Sequence, residues 1–285
     1  MSLHILRPMA NMNSGRSVVQ SAPLLLVGIG LFGGSISGLV GIGGGIVMVP
    51  LMVGLLGMSQ HRAHGTSLAI IVPVAFAATI RYATANPIDW TLVVALAATS
   101  VGFATVGARL TAYINPTMLR RLFGLLLLVT ALRMIFSIQD VALLQLDGEQ
   151  RVLAAIVTGM VTGLVSGAMG VGGGIVMVPA MVILMGIEQV DAQGISLAVI
   201  VPTALSGAFQ HFRMGHVDHR LALTVGVGGI AGGIAGAQVA QILPSPVLRG
   251  VFAAVVLFSS QRMFGVQGWI RHWRTLVLVR GSRDD

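Results

Sequence analysis

The sequence contains no cysteine and no lysine, and only 9% of its 285 residues are charged. Without a thiol there is no disulfide, no thiolate nucleophile and no cysteine-based metal site. The absence of lysine also excludes a Walker-type phosphate loop. Asp and Glu together number 9, and none falls inside a long apolar run, so a carboxylate buried in a span is not on offer for acid–base chemistry or for coupling to sodium or protons. An intramembrane enzyme would need a nucleophile or an acid–base pair at bilayer depth, and neither is found. No catalytic residue, metal or cofactor is therefore expected.

What fills the chain instead is apolar: 55% hydrophobic residues and a mean hydropathy of +0.91. A hydrocarbon core of roughly 30 Å takes about 20 apolar residues per helix, and runs of that size recur from Leu24 to Phe264. The expected fold class is all-α and polytopic, with the chain in a bacterial cytoplasmic membrane. The net charge of +8 comes from 17 arginines that sit between the apolar runs and at the two ends. That placement reads as membrane topology and not as a nucleic-acid surface. Residues 1–21 are expected to form a cytoplasmic tail and not a cleaved leader, because no small-residue cleavage site follows. Residues 22–136 form a first membrane repeat, 137–151 a polar connector, 152–265 a second repeat, and 266–285 a basic cytoplasmic tail whose Trp269 and Trp273 suit an interfacial anchor.

The two repeats are visible directly. GIGGGIVMVP at Gly41 to Pro50 returns as GVGGGIVMVP at Gly170 to Pro179, 129 positions on. Without a gap, the same offset pairs Gly30, Gly34 and Gly38 with Gly159, Gly163 and Gly167, Ser67 with Ser196, Pro73 with Pro202, and Asp89 with Asp218. An internal duplication follows. Each half reads as about five membrane segments, with the motif segment short and broken; four plus four is the alternative. Arginines favour the first and third connections in half one but the second in half two, and this reversal favours inverted over parallel repeats.

Lipid cannot satisfy exposed backbone, so a glycine interruption in an apolar stretch belongs against protein or a water-filled cavity. The helices restarting after Gly45 and Gly174 would present free N–H groups and positive dipole ends, which suit an anion. The competing reading is that these glycines only let helices pack closely, the role assigned to the Gly30, Gly34, Gly38 stripe. Pro50 and Pro179 follow at fixed spacing and are candidate structural hinges. Met48, Met52, Met177 and Met181 have the spacing of helix packing, and Asp89 and Asp218 are placed to cap the helices that follow them.

The paired GxGGG motifs, followed by HGTSLAIIVP at His64 to Pro73 and QGISLAVIVP at Gln193 to Pro202, resemble the sulfite exporter TauE/SafE family of membrane permeases, over residues 24 to 267. The resemblance implies secondary transport of a small sulfur-containing anion such as sulfite or an organosulfonate, by alternating access around a central site. An anion channel or a membrane scaffold is the other function kept open. It implies Gly43, Gly44, Gly45, Gly172, Gly173, Gly174, Thr66, Ser67 and Ser196 around the substrate, although each serine could equally bond back to its own helix. His64, Arg81, Arg109, Gln193, Gln210 and Gln238 are weaker candidates for polar lining; the two arginines, near segment ends, can instead reach the headgroups. The expected partners are the anion and membrane lipids, with no nucleic acid and with a homodimer as one open assembly.

His211, His216 and His219 cluster with Asp218, but their spacing matches no closed zinc set. They are read as part of a solvated connection, as are His61 and His64, with proton relay as the alternative.

Overall fold

A computed structural model describes residues 23–110, 116–136, 146, 148–169 and 173–261. The two tails, most of the connector and Gly172 lie outside the described residues. In order, α1 (Pro23–Val40), α2 (Gly45–Leu56), α3 (Gln60–Ala83), α4 (Trp90–Leu110) and α5 (Pro116–Phe136) make the first half. The second half is α6 (Glu149–Met169), α7 (Gly174–Met185), α8 (Gln189–Arg213), α9 (His219–Ile242) and α10 (Ser245–Gln261). No strand occurs among the described residues. Six helices (α1, α3, α4, α6, α8 and α9) contain stretches long and apolar enough to cross a membrane. Their outward faces are apolar, as with Phe32, Phe76 and Val94, all of them exposed.

Several helices start earlier than hydropathy suggests. The apolar runs begin at Thr66 and Ile195, yet α3 and α8 already begin at Gln60 and Gln189. Their first turns are polar and still helical, because helix continuity depends on backbone bonding and not on side-chain hydropathy. Both aspartates cap as expected: Asp89 Oδ1 accepts from the N–H groups of Thr91 and Leu92, and Asp218 Oδ1 accepts from Leu221 N–H.

The helices α2 and α7 have 12 residues each, about 18 Å at 1.5 Å per residue, too short for a 30 Å core. The first of them folds back along α1, since a Cβ on Gly33 would stand 2.6 Å from Met48 Cγ. Three glycines of the break, Gly41, Gly43 and Gly44, have φ of +74°, +79° and +68°, which only glycine adopts freely. Met48, Met52, Met177 and Met181 are all buried in the core.

Contacts between the halves dominate. The first helix of each half packs on the fourth helix of the other: α1 on α9, and α6 on α4. Glycine makes this possible. A Cβ on Gly30, Gly34 or Gly38 would come within 2.1 Å or less of the carbonyl oxygens of Val225, Gly229 and Gly233 respectively. Both helices advance four residues per contact, so they run parallel. On the other side Gly159 meets Leu96, Gly163 meets Ser100 and Gly167 meets Ala104.

The helices α3 and α8 pack in the opposite sense. Gly65 lies against His211, Gly207 against Leu68, and Gly194 against Tyr82. One number rises as the other falls, so these two helices, equivalent under the 129-residue offset, are antiparallel. Pro73 and Pro202 fall near the middle of the pair.

Candidate functional site

The first glycine break lies beside that middle. A Cβ on Gly43 would touch Ile200 and Ile71, one from each of the antiparallel helices, at 3.3 and 3.5 Å. Gly41, Gly43, Gly44 and Gly45 are all buried, as are Gly173 and Gly174. The two breaks also touch each other: a Cβ on Gly174 would stand 2.8 Å from the Gly41 carbonyl oxygen and 2.9 Å from Ser196 Oγ. The N-termini of the two half-length helices thus start from adjoining backbone in the interior.

Ser196 joins the halves by donating its hydroxyl to the Gly41 carbonyl at 2.8 Å, and so does not bond back to its own helix. Ser67 makes no hydrogen bond, although fully buried. Because α3 and α8 are antiparallel, Ser196 is level with the region of Ile80. The two serines therefore stand about 20 Å apart along the helix axis, one on each side of the middle. They cannot converge on a single small ligand in this arrangement.

Two other hydroxyls lie closer to the helix starts. Ser37 is fully buried with no hydrogen-bond partner, and its Cβ is 3.1 Å from where a Cβ on Gly44 would stand. Thr162 is likewise buried without a partner, and its methyl lies 2.6 Å from the equivalent point on Gly173. A buried hydroxyl without a partner forfeits its hydrogen bonds to water, so such groups mark places where a ligand or water completes the structure. Neither residue is among the candidates read from the sequence. Ser37 had a signal, since the 129 offset pairs it with Ser166, but it sits inside a glycine stripe that packing already explains.

The remaining candidates spread outward. Tyr82 OH is 2.9 Å from the Gly38 carbonyl and 3.0 Å from Gln193 Oε1. A phenol has one proton, so with the Gln193 amide turned over, Tyr82 donates to Gly38 and accepts from Gln193. Gln193 also backs onto the first break, where a Cβ on Gly41 would meet its Cα at 2.8 Å. Thr66 Oγ1 accepts from Asp218 N–H at 3.0 Å, which ties it to the α8–α9 turn and not to a glycine break. Arg81, in the last turn of α3, donates to Gln238 and to Thr84 Oγ1. Gln210 is exposed; His64 is half-buried on the second turn of α3. Pro50 and Pro179 lie inside α2 and α7. The side chain of Arg109 lies outside the described residues.

Replacing Ser196 by alanine leaves the buried Gly41 carbonyl without its donor, a loss of about 1–3 kcal/mol. The thermal midpoint of the Ser196→Ala protein in detergent should fall accordingly, whereas Thr84→Ala, at an exposed helix end, should leave it unchanged.

An all-α, multi-pass membrane protein with two half-length helices starting from touching glycine breaks has the organisation of a repeat-built transporter. The chain belongs to the sulfite exporter TauE/SafE family, whose profile matches residues 2–134 and 140–281. It is 25% identical over 257 residues to the probable membrane transporter protein YunE of Bacillus subtilis, covering 82% of this chain and 94% of that one. A probable membrane transporter protein of Xylella fastidiosa is 29% identical over 265 residues, covering 89% and 97%. One from Methanocaldococcus jannaschii is 27% identical over 252 residues, covering 82% and 92%. No solved structure gives a significant match. The chain is thus a multi-pass membrane transporter, and its bacterial relatives are consistent with a bacterial inner membrane.

Proposed function

We propose that the protein is a secondary transporter of a small sulfur-containing anion, such as sulfite or an organosulfonate, working by alternating access around the two glycine breaks. The observation that carries this reading is the pair of interior helix starts, each beside a buried hydroxyl without a partner, Ser37 at Gly44 and Thr162 at Gly173. A helix start supplies free N–H groups and about half a positive charge, so two of them offer an anion compensation without a buried arginine. The sulfur comes from the family. The antiparallel course of α3 and α8 supports reading the halves as inverted repeats, so that each half-helix enters from its own side. In this reading the contact between Gly41 and Gly174 closes the centre, and an anion enters by displacing the Gly41 carbonyl from Ser196.

The test is uptake by purified protein in proteoliposomes of sulfite, thiosulfate, sulfate, sulfoacetate and taurine in turn. At least one should enter saturably and be inhibited competitively by a close analogue. Flux that rises linearly with concentration would replace the carrier with a channel, and no flux of any of the five would end the reading.

A further inference from the structure

Five of the seven histidines, His61, His64, His211, His216 and His219, fall at one end of the antiparallel α3–α8 pair. Their rings do not simply project into solvent. His61 and His216 stack with ring centres 5.8 Å apart, and His211 and His216 lie 5.7 Å apart at a tilt. Gly65 admits this packing, since a Cβ there would meet His211 Cβ and the His216 carbonyl at 2.9 Å. Both His211 Nδ1 and His216 Nδ1 are buried without a hydrogen-bond partner. The three rings thus join the start of α3 to the end of α8 and the turn that follows it.

The equivalent contact at the opposite end uses different chemistry. The 129 offset places Tyr82 where His211 stands and Gln193 where His64 stands, and Tyr82 is held by neutral hydrogen bonds to Gly38 and Gln193. Tyrosine and glutamine do not change charge between pH 5 and 8, whereas histidine does. The Tyr82 end also carries carboxylates, Asp191, which accepts from Asn86 at 3.2 Å, and Glu188 beside it, but among the described residues it holds no histidine, so imidazole chemistry is confined to the other end of the pair.

We propose that His61, His211 and His216 form a proton-binding site whose loading separates α3 from α8 at this end, making the transport cycle sensitive to protons on one side of the membrane. A neutral imidazole can leave Nδ1 as a bare lone pair, but an imidazolium carries N–H on both nitrogens and needs acceptors for both. Among the described residues neither His211 Nδ1 nor His216 Nδ1 has an acceptor, whereas His61 is exposed to solvent. Asp218 is the acidic residue at this end, and it is engaged with Arg62 at 3.2 Å and with the first turn of α9. The other charged groups of this end among the described residues are cationic: Arg62 on α3, Arg213 on α8, which lies over its own Phe209 ring, and Arg220 on α9. His219 packs edge-on against Phe212, and His64 stands one turn further into α3 than His61. The end of α2 contributes only Leu55, Leu56, Gly57 and Met58. Adjacent positive charges without a free carboxylate repel, and water entering between the helices satisfies the new N–H groups. This rests on ring packing and on the antiparallel pair, and holds whichever anion is carried.

The experiment uses the absence of native cysteine. Spin labels on Gln60→Cys and Met214→Cys, both exposed, report the distance across the histidine end in the full-length protein in nanodiscs. Labels on Ala85→Cys and Ile187→Cys report the Tyr82 end. Between about pH 8 and about pH 5.5 the first distance should shift to longer values, and the second should move less. In His61→Gln/His211→Gln/His216→Gln the shift should vanish, and in the milder His216→Gln, which removes the ring touching both others, it should shrink by at least half. An unchanged first distance, an equal change at both ends, or a shift that survives both histidine variants overturns the proposal. These outcomes are read without any substrate, so they stand apart from the uptake screen.

Discussion

A Gly41→Val protein is expected to lose anion uptake altogether and to be less stable by about 2–5 kcal/mol. The left-handed φ of +74° alone costs an L side chain about 1–2 kcal/mol. The added Cβ would stand 2.8 Å from Cα and Cβ of Gln193, so the start of α8 must move, and overpacking of this kind costs about 1–3 kcal/mol. Moving that backbone also pulls the Gly41 carbonyl from Ser196, where the two breaks touch. The comparison is Gly54→Ala in α2, where an added Cβ meets nothing within 4 Å and helix propensity improves by up to about 1 kcal/mol. Uptake in proteoliposomes and thermal midpoints in detergent decide it. Full uptake by the Gly41→Val protein would show the break to be mere packing.

The second large effect is expected at the interface between the halves. In Gly34→Ala the new methyl would fall 2.1 Å from the Gly229 carbonyl oxygen, and in Gly167→Ala 1.9 Å from that of Ala104. The obstacle in both is helix backbone, which cannot turn aside as a side chain can, so α1 must lift from α9, or α6 from α4. A loss of about 3 kcal/mol or more follows, at the top of the range for overpacked sites. Gly28→Ala, on the same helix as Gly34 with nothing within 4 Å, should be neutral or slightly stabilising. The yield of monodisperse protein and the thermal midpoint measure the contrast, and equal behaviour of Gly28→Ala and Gly34→Ala would refute the close-approach account.

Much of this architecture is legible in the chain before it folds. The Gly30, Gly34, Gly38 stripe announces a close helix contact, because glycines four apart share one face. Asp89 and Asp218 announce helix starts, because a capping carboxylate acts within its own turn. The breaks are legible too, since consecutive glycines in an apolar run cannot continue a spanning helix against lipid. The candidate site is less so. Thr66 looks like a ligand donor in sequence, but its hydroxyl is occupied by the Asp218 backbone, 152 positions away. Ser37 looks like filler in a packing stripe and proves to be a buried hydroxyl without a partner beside Gly44. The histidines of HFRMGHVDH look like a solvated loop, and only the approach of α3 at Gly65 draws His61 onto His216.

By itself the sequence determined what depends on neighbours along the chain: the apolar spans, the duplication at 129 residues, the breaks and the caps. Periodicity, propensity and hydropathy act over a few turns and leave their mark on composition. The tertiary structure alone decided partners and direction. Nothing in the stripe at Gly34 says that it packs on α9 of the other half and not on α4 of its own. That choice is made by whole surfaces meeting, carbonyl against glycine, across nearly two hundred residues. The antiparallel crossing of α3 and α8 then sets Ser67 and Ser196 on opposite sides of the middle, and leaves one end of the pair to tyrosine and the other to histidine.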